Sequence, residues 1–454
     1  VIRPARPRVG FLYDDDAPLF SYRSFKASIR DALADSSEVI EIDAQAPATA
    51  TDSAWEVLRD ASALVLEIDS PLSPALLDRR NRERPDMPAL FFAHAAMPKG
   101  GPSLHDLAPR MTARDAIVFN STADRRIFGR LADGVRLRTP IVGWPVDARR
   151  FRPLPPEARA AIRMRLGIAP DAELLLYVGR LNVQKNVHGL IDAFAAVRRV
   201  RPRCRLVLCG APDAVVCREF GVGNEGYGPY LRSRAALRGL DGAVTFLGDL
   251  APADVAALAA TADMVVNLSL YNRENFGLAA VEAMAAGTPV VCTDWGGFRD
   301  TVAHGRTGLR VPTFVGDDGA GVDPRRAARA IVRLLADAAL RVRMGTSGRL
   351  RATLRFSPAR FTARLGAIVA ERIASPADAS PGGGFIPSTL AVAYRRYAPA
   401  SGVRGGPTPL PPSLSNPKAV ALYRRLIAPY ATTLAPRAGA GASVLAPWAR
   451  GHRG

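Results

Sequence analysis

The side chains best able to do chemistry in this sequence fall in two short stretches. The first, ENFGLAAVEAMAAGTPVV from Glu274 to Val291, follows the apolar run DMVVNLSL and ends in another, TPVV. That order predicts a strand, a loop, a helix and a second strand, with Gly277 allowing close backbone approach near the helix start. Unpaired amides at a helix N-terminus favour anions, so a diphosphate there would accept from the N–H groups of Asn275, Phe276 or Gly277, with Leu278 beside them. Glu282, further along the helix, can accept two hydrogen bonds from vicinal ribose hydroxyls, while Glu274 in the loop can face a sugar. Either acid alone reads as a solvated glutamate at the positive end of a helix dipole. Taken with Gly277 and with Gly287-Thr288-Pro289, which turns the helix into a strand, the pair reads as a site.

The second stretch begins where the run LLLYVG ends in Gly179-Arg180, and a loop leads on to Lys185-Asn186. Two cations after a first strand point into the crevice where open parallel sheets bind ligands. They suit a diphosphate, Arg180 through its fork of donors and Lys185 as a compact charge. An ordinary basic surface loop is the plainer alternative. The basic residues are otherwise almost all arginine, with lysine only at 26, 99, 185 and 418, which singles out Lys185.

Elements that could hold these groups recur along the chain. From Arg8 to about Asp147, the runs RVGFLYD, SEVIEID, SALVLEID, PALFFAH and DAIVFN alternate with helix-like segments, and a second alternation follows from ELLLYVG to TPVVCT. Repeated strand–helix–strand order means parallel sheets covered on both faces. The expected fold is therefore α/β, two Rossmann-like doubly wound domains facing a cleft. Their expected bounds are 1–150 and 171–374, joined by a proline-rich linker over 151–170. Residues 375–454, rich in Pro, Gly and Ala, read as a partly disordered tail in which LAVAYRRYA and KAVALYRRLIAPY could form short basic amphipathic helices.

In order and spacing, Gly179-Arg180 with Lys185-Asn186, VTFLGDL, the Glu274 and Glu282 pair and DWGGFRDTVAHGRTGLRVP resemble the retaining GT-B glycosyltransferases of family 4, also called group 1. RDAIVFNSTADRRIF and PVDARRFRP extend the resemblance weakly upstream. It implies a hexosyltransferase-type enzyme that moves a sugar from a nucleotide-diphosphate donor to an acceptor hydroxyl with retention of configuration. By the same resemblance, Arg180 and Lys185 would hold the diphosphate, Glu274 the sugar and Glu282 the ribose. Main chain near Leu247-Gly248-Asp249 would meet the base, and His94 would lie near the transferred sugar. The loop after the first strand departs from the family: it reads Asp14-Asp15-Asp16 where small glycines are usual. A metal-binding DxD site belongs to a different architecture, so no metal and no cofactor are expected.

The formal charge of +19 suits polyanions. No helix-turn-helix, aromatic RNA platform or zinc finger is apparent, so nucleic acid is not an expected partner. The donor base and the acceptor stay open. A lipid-linked or glycan acceptor, with peripheral contact to an anionic membrane, would use the charge. No apolar run reaches the roughly eighteen residues that span a bilayer, and the opening Val1-Ile2-Arg3-Pro4 lacks a secretory stretch. Cys204, Cys209 and Cys292 lie in or beside apolar runs and, with Cys217, show no metal-ligand spacing. The expected location is therefore cytoplasmic, on or near the inner membrane face. Rival readings are an epimerase or phosphorylase on the same architecture, and a nucleotide-sugar-binding module without transfer.

Overall fold

Five short apolar runs pair side by side in the computed structural model, which describes residues 6–13, 20–93, 104–212, 226–271, 274–316, 319–389, 425 and 428–434. They are β1 (Arg8–Tyr13), β2 (Glu38–Asp43), β3 (Ala63–Leu66), β4 (Ala89–Ala93) and β5 (Ala116–Phe119), all parallel and ordered β2-β1-β3-β4-β5. β3, β4 and β5 are buried along their whole lengths, as a sheet covered on both faces requires. The edge strand β2 carries Glu38, Glu41 and Asp43 outward, charges that discourage pairing with another chain. Two two-residue strands, β6 (Ala132–Asp133) and a later partner at Ile386–Pro387, pair antiparallel beside this sheet.

A buried ion pair ties the helix Ser73–Glu83 to the turn that leads into β5. Arg80 and Asp115 are fully buried and meet through two bonds of 2.8 and 3.0 Å. The carboxylate also accepts from the amides of Ala89 and Thr112, each at 2.7 Å. Every oxygen is thereby matched, which a charge out of water requires.

The second sheet is built from β7 (Leu174–Val178), β8 (Arg205–Cys209), β9 (Val244–Gly248), β10 (Met264–Asn267), β11 (Val290–Thr293) and β12 (Gly308–Val311). It is parallel and ordered β12-β11-β10-β7-β8-β9, so the winding reverses between β7 and β10. The hairpin β13 (Thr313–Gly316) and β14 (Gly319–Val322) follows it. With β15 as Ile386–Pro387, the last strand, β16 (Thr433–Leu434), lies parallel to β13.

By its internal contacts the chain divides into two units, Val1–Pro145 with Phe356–Gly402, and Val146–Arg355 with Val403–Gly454. Two expected boundaries move. The domain expected over 171–374 ends at Arg355, because the helix Pro358–Ile373 buries Phe361, Leu365, Ile368 and Val369 within the first unit, where the Phe361 and Phe25 rings lie 5.8 Å apart. The expected linker is a folded part of the second unit: its helix Pro156–Arg165 is anchored by Arg163, which donates to Asp263 at 2.7 Å. The C-terminal stretch also differs from a simple tail, since Thr433 and Leu434 join a sheet. Most of LAVAYRRYA and KAVALYRRLIAPY lies outside the described residues.

Cys204, Cys209 and Cys292 are buried free thiols. Burial pushes the first two up to about 12 and about 11, so they are inert at neutral pH. Cys217 lies outside the described residues. Among those described, no helix is long and apolar enough to cross a membrane.

Candidate functional site

All strands of a parallel sheet end on one edge, and loops that leave it in opposite directions at a switch point open a crevice. In the second unit that point lies between β7 and β10. The two stretches singled out by their chemistry follow those two strands.

Beyond β7 the edge is bare backbone. Gly179, Gly210 and Gly248, at the ends of β7, β8 and β9, have φ of +144°, +139° and +70°. The Gly179 amide donates to Cys209 O at 3.0 Å and the Gly210 amide to Gly248 O at 2.8 Å. A Cβ on Gly210 would stand 2.0 Å from Gly179 O, so only glycine fits. Leu247 and Gly248 are half-buried on this edge, and Asp249 closes it by accepting from the Ala211 amide at 2.7 Å. Of these, Gly210 escaped the sequence reading, where it stands as one glycine after an apolar run. Arg180 is half-buried, and its carbonyl accepts from the Tyr177 hydroxyl at 2.9 Å.

Lys185 is placed by its neighbours. Asn182 caps the turn Val183–Lys185, its side chain accepting from the Lys185 amide at 3.0 Å. Asn186 then takes a left-handed conformation, alone among the described non-glycine residues, and donates from Nδ2 to Leu268 O at 3.1 Å. Leu270 N donates to Gln184 O at 3.1 Å, a second tie between the loops after β7 and β10. The result is a contact of 2.5 Å between Lys185 Nζ and Glu274 Oε2, residues 89 positions apart, with the ammonium 5.3 Å from the centre of the Tyr271 ring.

The helix behind Lys185, Val187–Val200, is pinned by a buried tyrosine. The His188 amide donates to the Tyr227 hydroxyl at 3.1 Å, and the hydroxyl stands 2.7 Å from His188 Nδ1. Desolvation, then nearby Arg234, holds this imidazole down at about 4 against the pull of Asp192. It is neutral at physiological pH, with a single proton on the ring.

The loop before the helix Leu278–Ala285 is held from below by Trp295-Gly296-Gly297. Trp295 Nε1 donates to Tyr271 O at 2.8 Å, and the Gly297 amide to Glu274 O at 2.7 Å. A Cβ on Gly297 would reach within 2.2 Å of Asn275 O. Gly277, left-handed at φ +77°, is the N-cap rather than the first helical residue, and a Cβ there would strike the Phe298 ring at 2.4 Å. Asn275 and Phe276 are buried beside Glu274, and Leu278 is half-buried where the helix opens. The leading amides of that helix have no acceptor within it, which leaves a positive edge beside the Lys185–Glu274 pair.

Glu282 is half-buried one turn into the helix. Desolvation raises its carboxyl to about 7, and Arg150 opposes the shift. A carboxylate costly to ionise gains from donors brought by a ligand. His94 and Asp14-Asp15-Asp16 lie outside the described residues, and among those described no three His, Cys, Asp or Glu side chains gather to hold a metal ion.

Residues 158–351 match the family model of glycosyl transferases group 1. The D-inositol 3-phosphate glycosyltransferase of Corynebacterium urealyticum is 33% identical over 232 residues, 51% of this chain and 50% of that one. That of Jonesia denitrificans is 35% identical over 187 residues, 40% and 41%. The chain thus spans about half the length, or less, of these curated relatives. The crystal structure of HepE from Anabaena, in complex with UDP, aligns with a TM-score of 0.65 at 19% identity, over 80% of this chain and 100% of that one. The fold is GT-B.

Proposed function

We propose that this protein transfers a glycosyl group from a nucleotide-diphosphate sugar to an acceptor hydroxyl, with retention of configuration and without a metal ion. One observation carries the reading: Lys185 Nζ lies 2.5 Å from Glu274 Oε2 at the edge where the sheet reverses, beside a helix start. The match to the group 1 model supports the class, and the UDP bound to HepE supports a nucleotide diphosphate as the leaving group.

In this reaction the bond from the anomeric carbon to the β-phosphate oxygen breaks, and the acceptor oxygen bonds to the same face of that carbon. The acceptor proton passes to the departing diphosphate. Negative charge grows on the phosphate, so the useful groups are fixed positive ones: Lys185, Arg180 and the amides at the start of the helix Leu278–Ala285. Glu274 keeps Lys185 in place before substrate arrives and then faces the sugar. Glu282 accepts from the ribose, whose hydroxyls offset its desolvation.

The acceptor in this proposal is a lipid-linked or glycan hydroxyl, and the +19 charge suits work beside anionic lipid. A thermal-shift panel of UDP-, GDP- and ADP-sugars in EDTA tests the donor claim, since a ligand of the folded state raises the melting point. One sugar nucleotide should stabilise the protein and release its nucleoside diphosphate with the chelator present. No shift and no release with any of them would reject the reading.

A further inference from the structure

Within the second unit, residues 428–434 pack around one carboxylate, Asp294. Thr432 Oγ1 donates to Asp294 Oδ2 at 2.8 Å and accepts from the Thr313 amide at 3.1 Å. The Thr432 amide returns a bond to Thr313 Oγ1 at 3.2 Å, and that hydroxyl donates to Asp294 O at 2.9 Å. On its other oxygen Asp294 faces Arg310 at 3.2 Å and Arg299 at 3.5 Å. Arg299 also reaches the C-terminal segment, donating to Ala431 O at 3.1 Å and Pro429 O at 3.4 Å. Beyond Thr432, β16 extends the hairpin β13–β14 by one strand.

What Asp294 leads into gives this packing its meaning. The next residue, Trp295, is fully buried and bonded to Tyr271 O, and Gly297 is bonded to Glu274 O. A Cβ at Gly297 would collide with Asn275 O, and one at Gly277 with Phe298, so the strap Trp295–Phe298 and the loop Glu274–Gly277 are in contact at backbone distance. An anchor on Asp294 therefore reaches the Glu274 backbone through three consecutive residues.

We infer that Thr432 and Asp294 are positioning residues, through which the C-terminal segment fixes the loop that presents Glu274. The donor role of that loop rests on the function proposed above, whereas the mechanical coupling does not. Without Thr432 the strap loses one of its fixed points, and the loop samples positions in which Glu274 no longer meets Lys185.

Amide hydrogen exchange on the full chain, with no nucleotide present, decides it. In Thr432→Val the amides of Glu274 and Gly297 should exchange about fivefold faster, the scale of one lost hydrogen bond, while β7 and β10 stay unchanged. Thr432→Ser, which keeps the hydroxyl, should restore wild-type rates, and deletion of residues 425–454 should reproduce the Val effect. Unchanged exchange at Glu274 and Gly297, with acceleration confined to Thr313 and the hairpin, would overturn the proposal and leave β16 as an edge cover. Should no sugar nucleotide bind, the exchange result still judges the coupling, so the two failures separate. With a donor in hand, the same variant should raise the donor KM about fivefold and move kcat by less than about twofold.

Discussion

Two opposite-charge pairs, one in each unit, show how the same chemistry is turned to different ends. Arg80 and Asp115 are fully buried, joined by two bonds, and the carboxylate accepts two further backbone amides. Lys185 and Glu274 meet through one contact at the rim of a sheet, where loops rather than strands hold them. A pair with every lone pair matched cannot change partners without leaving a charge stranded, so it serves the fold. A pair with one contact and a positive helix edge beside it can admit a third charged group. Completeness of bonding at the carboxylate, more than distance, separates a structural ion pair from one that can do chemistry.

Replacing one member of each pair should therefore break different properties. Asp115→Ala strands the Arg80 guanidinium and two amides, and should cost about 3–5 kcal/mol of stability in denaturant titration. Lys185→Ala should lower turnover about 10²–10³-fold, as loss of an oxyanion donor does, with the melting temperature near wild type. A stable Asp115→Ala, or a fully active Lys185→Ala, would erase the contrast.

Gly277→Ala tests whether the rim is as intolerant of change as the core. Its positive φ and the Phe298 ring make a Cβ strained, so it should cost about 1–3 kcal/mol and weaken nucleotide binding in parallel. The smallest effect is expected at Glu282. Its folded carboxyl titrates at about 7, above the ordinary carboxylate range, so the stability it contributes is present at low pH and lost as pH rises toward about 7. Glu282→Gln should thus raise the melting temperature more at pH 8 than at pH 5. The same variant should weaken nucleotide binding by roughly three- to tenfold in calorimetry. Wild-type affinity should fall as pH drops below about 7, and that step should vanish in the variant.

Much of this was legible in the residues. The apolar runs named ten of the parallel strands: those buried on both faces, such as β3, β4 and β5, leave continuous hydrophobic signatures, and the edge strand β2 leaves an alternating one. Lys185 and Glu274 stood out by type and by their place after strands, though nothing local says that they touch across 89 positions. What the sequence hid depends on distant partners. The hairpin β13–β14 is rich in glycine and reads as loop, and the two residues of β16 gain meaning only against Phe314 and Val315. The helix Pro358–Ile373 looks like any amphipathic helix, and its pattern does not say which unit supplies the other half of its contact. Gly210 carries no signature apart from the backbone that presses on it, and Gly297, though part of the DWGGFRD stretch, gives no sign that Asn275 lies against it.

The central claim is that the Lys185–Glu274 corner grips paired phosphates, and calorimetry of nucleoside diphosphates against monophosphates tests it most directly. Wild-type protein should bind the diphosphate of the preferred base more tightly than its monophosphate, and Lys185→Ala should lose most of that advantage. Equal loss for both ligands, or none for either, would place the second phosphate elsewhere and contradict the assignment.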